Sequence, residues 1–114
     1  MTQSHTMTKA LSLAVLCIGV ASLPFAANAD TQKEVMTAAQ HAGLAAKAEN
    51  VQTAHTHMHH ALNCLVGPNG EGFDSNAANP CEGSGNGAIA DASDQKQKMA
   101  LENAAKTLRM GLGE

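Results

Sequence analysis

The stretch from Asp30 to Leu65 constrains this chain most. It runs without a proline, holds one interior glycine at Gly43, and is rich in Ala, Gln, Lys and Glu. Alanine has the highest intrinsic helix propensity and the straight-chain residues follow it closely. A helix over about 31–65 is therefore predicted, with Asp30 or Thr31 as its cap. Glu34 stands three residues beyond Thr31, as in a capping box. From Val66 to Gly87 the composition reverses. Gly67-Pro68-Asn69-Gly70, Asn79-Pro80 and then Gly83, Gly85 and Gly87 are turn-forming residues, so a loop over about 66–90 is predicted. A second helix is predicted over about 91–112, with Asp91 or Ser93 as its cap. No repeat and no strand-like alternation is present. The expected fold is all-α: a helical hairpin of two long antiparallel helices joined by a Gly/Asn/Pro-rich loop.

The segment before this helix has a different character. Lys9 precedes an apolar run from Ala10 to Leu23, and Ala27-Asn28-Ala29 follows with small residues at its first and third positions. That is the pattern of a secretory signal peptide, residues 1–29, cleaved after Ala29. The apolar run is short for a membrane helix, which needs about 20 apolar residues. The expected mature protein is a single small helical domain, 30–114, exported to the periplasm or secreted, with no membrane span. It carries all ten acidic residues and six of the seven basic ones, so it is acidic overall. No basic stripe exists to displace counterions from a phosphate backbone, and nucleic acid is not an expected partner.

Cys17 leaves with the leader. Cys64 and Cys81 remain as an even pair in an oxidising compartment, where a disulfide is the expected state. That bridge would tie the loop back to the end of the first helix. Help of this kind is needed, because the apolar side chains are few and the chain has neither Trp nor Tyr. Leu44, Val51, Met58 and Leu65 recur every seven residues, with Leu62 beside them, and Leu101, Leu108 and Leu112 form a second stripe. Two hairpins burying these stripes against each other would give a dimeric four-helix bundle. A homodimer is thus an expected partner, beside an envelope protein of unknown identity.

The chemistry concentrates in His55-Thr56-His57-Met58-His59-His60. Imidazole is the commonest protein metal ligand and titrates near neutral pH. On one continuous helix His55 and His59 are spaced i, i+4 along the apolar stripe and can share an ion. They are the expected primary ligands. His57 and His60, spaced i, i+3, face roughly the opposite way and form an expected weaker set. Asp94, near the start of the second helix, is a weak candidate third ligand. Met58 is another weak candidate, whose thioether would favour Cu(I), although its seven-residue register fits a core side chain better. His41 shares the azimuth of His59 but lies about five turns away on a single helix, too far to share its ion.

Several chemistries find no support. No His-Glu-x-x-His, Cys-x-x-Cys-His or Gly-x-Ser-x-Gly motif occurs, and Gly83–Gly87 is not followed by the lysine of a phosphate loop. Asp74, Asn76, Asn79 and Glu82 have the composition of a calcium loop without its register. The chain is not expected to be an enzyme. The expected function is binding of a transition metal ion, copper or zinc, for sequestration or delivery. The alternatives are an envelope interaction module and a pH-responsive hairpin without metal. A haem bundle with His55 as axial ligand is less favoured, because large apolar residues are too scarce to build its pocket.

Overall fold

The structure is a computed structural model that describes residues 29–114. The expected leader, apart from Ala29, lies outside the described residues. The described chain is all-helical: α1 (Ala29–Ala46), α2 (Val51–Val66), α3 (Ala88–Asp91) and α4 (Gln95–Leu112). The Cys64–Cys81 disulfide is present, with an S–S distance of 2.06 Å.

The predicted helix over 31–65 is two helices. At the end of α1 the Lys47 and Ala48 amides donate to Leu44 O and Ala45 O, both at 3.2 Å. These i to i−3 bonds tighten the last turn and end the helix. Asn50 then takes an extended conformation (φ −146°, ψ 158°), and its side chain accepts from the Thr53 amide at 2.8 Å. An N-cap of this type satisfies a donor that helix geometry leaves orphaned. The chain reverses within four residues, and α1 packs along α2. Those two helices are the arms of the main hairpin. The expected capping box also changes role, because Thr31 and Glu34 lie inside α1 and are fully buried.

The predicted helix over 91–112 starts later, at Gln95, and the end of the predicted loop forms the short helix α3. Ala92 is extended and separates the single turn of α3 from α4, whose cap is Asp94 rather than Asp91 or Ser93. α2 is the central element and touches α1, α3 and α4. Its last turns, Ala61 to Val66, are buried on every side. Leu62, Leu65 and Leu101, expected to need a second copy for burial, are instead covered within one chain. Leu44 and Val51, the other half of the predicted stripe, flank the 47–50 turn and stay exposed. The break at the turn cuts the seven-residue register in two.

The long loop is held by buried polar groups. Asn63 is fully buried. Its Nδ2 donates to Asp74 O (3.0 Å) and Ala78 O (3.2 Å), while its Oδ1 accepts from the Asp74 amide (2.9 Å). A buried amide with these bonds made specifies one loop conformation at little desolvation cost. The loop's two ends meet at Gly67 and Gly87, which have φ of +70° and +108°. Each backbone runs where a Cβ on the other would stand, so only glycine fits at either position.

Glu34 fastens α1 to this loop. Its Oε1 accepts from the Gly87 amide at 3.0 Å, and the Cys81 sulfur lies 3.8 Å from its carbonyl oxygen. Burial raises the Glu34 pKa; the Gly87 hydrogen bond opposes the rise, and the charges of Asp91 and Asp30 add to it. A carboxyl whose folded pKa lies above its unfolded value stabilises the fold at low pH and loses that contribution as pH climbs through the raised value. Glu34→Gln keeps the acceptor for Gly87 and removes the titration. Denaturant unfolding from about pH 4 to about pH 8 should show this contribution in wild type and lose it in Glu34→Gln. Identical pH profiles for the two proteins would contradict this assignment.

Candidate metal centre

The reversal at residues 47–50 determines which histidines meet. It folds α1 back along α2 and brings His41 against His57, sixteen residues later in sequence. The two Nδ1 atoms are 3.2 Å apart. His60, one turn beyond His57, completes the group. The ring centroids stand 5.4 Å apart for His41 and His57, 5.0 Å for His41 and His60, and 5.8 Å for His57 and His60. One ligand nitrogen from each of the three rings lies within 4.8 Å of the others. All three side chains are half-buried.

These distances suit one ion. Nitrogens about 2.0–2.1 Å from a tetrahedral zinc are about 3.3 Å from one another. The His41–His57 pair already has that spacing. Bringing in the third nitrogen requires a movement of less than about 2 Å, within reach of side-chain rotation. Without an ion, the 3.2 Å contact also fits a hydrogen bond between one ring in its Nδ1–H tautomer and the other.

The electrostatics favour the neutral, ligating form. The His41 pKa is lowered, first by burial and then by the neighbouring charges of His60 and His57. The His60 pKa is lowered by burial and by the charges of His57 and His59. His60 Nδ1 is buried and makes no hydrogen bond. A metal ion relieves both costs, because it needs unprotonated imidazole and satisfies its lone pair.

The expected ligand set is regrouped. His57 and His60, expected to face water as the weaker pair, face α1 and belong to the cluster. His41, expected to be out of range, is the third member, because α1 and α2 are antiparallel arms and not one rod. His55 is half-buried and outside the group. His59 turns toward the loop, where its Nδ1 lies 3.5 Å from Asp74 Oδ2. The Asp94 carboxylate caps α4 by accepting from the Lys96 and Gln97 amides at 3.4 and 3.2 Å. The Met58 thioether packs on Gly111 of α4, in the space that a side chain there would need. The sequence signal that would have found His41 is Asn50: an Asn two residues after Ala48 can cap a new helix as readily as it continues an old one.

Comparisons with protein families, with characterised proteins and with solved structures find no match to this chain. No helix among the described residues is long and apolar enough to cross a membrane.

Proposed function

We propose that this protein binds a first-row transition metal ion through His41, His57 and His60, and serves its sequestration or delivery outside the cytoplasm. The carrying observation is the convergence of three imidazoles from two packed helices, with nitrogens within 4.8 Å. All three donors are neutral nitrogens of intermediate softness, a set that suits zinc or copper(II) better than calcium or magnesium. The thioether that would have favoured Cu(I), Met58, packs on α4. An exported location is supported by the Cys64–Cys81 bridge, which persists in oxidising compartments. The leader-like residues before Ala29 support the same location.

A pH-responsive role is the second reading, favoured by the lowered pKa values of His41 and His60. Groups with depressed folded pKa values stabilise the fold above their unfolded values. That contribution is lost as pH falls through the folded ones. Protons and metal compete for one cluster, and the two readings differ in what happens without metal.

Calorimetric titration of zinc and copper into the apo protein tests both readings. At about pH 7.5 one ion should bind per chain and raise the melting temperature by mass action, and at about pH 5.5 binding should fade. Absence of both heat and thermal shift at the higher pH with either metal would remove the metal reading. A stability change over the same range that persists in chelator would then support the pH-responsive one.

A further inference from the structure

A three-imidazole centre is defined as much by what is missing from its fourth position as by its ligands. Among the described residues, only His41, His57 and His60 form a group of histidine, cysteine or carboxylate donors close enough to hold one ion. The neighbouring donors are engaged elsewhere. Cys64, one turn after His60, is bridged to Cys81. Asp74 faces His59 and accepts from the Asn76 amide at 2.9 Å. Glu34, two turns before His41, accepts from Gly87. Of the residues one turn from His41 and His57, Ala38, Leu44, Ala45, Ala54 and Ala61 carry no ligating side chain, and Thr37 and Thr53 carry only neutral hydroxyls, that of Thr37 donating to Lys33 O. The three rings are only half-buried, so solvent reaches the cluster.

We infer that the filled centre keeps one coordination position open to solution, and that this position takes a small anionic donor of the azide or thiocyanate class. The inference rests on the metal-binding reading above. Zinc sites closed by four protein ligands are structural, whereas those with three protein ligands leave a position for water or an incoming ligand. Among the described residues no fourth histidine, cysteine or carboxylate joins the three imidazoles. The occupant of the fourth position then comes from outside the described residues and exchanges with solution. An open position also gives an incoming ligand a way to take the ion, as delivery would require.

The test uses the full mature chain, cobalt(II) sulfate as a spectroscopic substitute for zinc, and sodium azide and sodium thiocyanate as probes. Cobalt should give visible bands that saturate at one ion per chain. Either anion should then shift those bands in a saturable manner, and excess of one anion should suppress the shift caused by the other. Bands that form but respond to neither anion mean that the protein closes the fourth position, which overturns this inference and leaves metal binding intact. Absence of bands, together with absence of zinc binding by calorimetry, removes the metal reading and this inference together. His41→Ala should lose the four-coordinate bands. If it retains both the bands and the anion response, His41 is not a ligand and the open centre on His41, His57 and His60 is overturned.

Discussion

His41→Ala is expected to weaken zinc binding by more than about a hundredfold, because even residues that only support a metal ligand are worth about 10–100-fold. The double variant His55→Ala/His59→Ala should retain most of the affinity. The contrast is informative because all of these substitutions remove an imidazole and only the positions differ. His41 is half-exposed and lies on the arm of α1 away from the Glu34 fastening, so its loss should leave the fold intact. Circular dichroism of the variant checks that point. Calorimetry on the two proteins then decides between a cluster built across α1 and α2 and one built along α2 alone. Equal affinity in wild type and His41→Ala would show that the metal ignores α1.

The second large effect concerns the disulfide. Cys64→Ala/Cys81→Ala opens a closure of sequence separation 17, worth about 3 kcal/mol in the chain-entropy account. A domain of this size shifts its melting temperature by about 4–8 °C per kcal/mol, so a fall of about 12–25 °C is expected. Substitution tests this better than a reductant does, because Cys64 and Cys81 are 0% and 4% exposed. The bridge joins the most enclosed part of α2 to the loop that carries Gly87. Losing it should therefore also loosen the docking of α3 and α1. A thermal midpoint that does not move would mean that the loop is held by Asn63 and Glu34 alone.

Which features were legible in the amino-acid sequence follows a physical division. Helix content was legible, because Ala-rich composition acts locally and every α1 and α2 residue reports it. The bridge was legible because, with Cys17 assigned to the expected leader, the two remaining cysteines have one pairing. The turn at 47–50 was not, since Lys47, Ala48 and Glu49 are all good helix formers and only Asn50 argues against continuation. Ending α1 there lets Thr31, Glu34 and Ala38 become buried, a gain from packing that no local propensity records. The spatial grouping of the histidines depends on that turn. Azimuths on one rod paired His55 with His59, and the reversal paired His41 with His57 and His60. Asp94 shows a second kind of ambiguity. A carboxylate at a helix start is equally apt as a cap or as a ligand, and the backbone amides of α4 took it.

His60 and Cys64 stand one turn apart on α2, and each is the start of a connection to a distant part of the chain. The disulfide closes a segment of separation 17, and a metal held by His41 and His57 would close one of separation 16. These closures lie end to end along the backbone without overlapping. In the denatured ensemble each removes its own share of freedom, and by the same loop-length scaling a permanent metal link would match the bridge at about 3 kcal/mol. The two differ in reversibility. The bridge is a covalent bond, whereas a metal link would open and close with the supply of ion. The chain would then have two mechanical states, singly and doubly tethered, with α2 as the strut common to both. Without the ion, packing alone would hold the His41 arm of α1 against α2, while the part from Cys64 onward stays tied by the bridge.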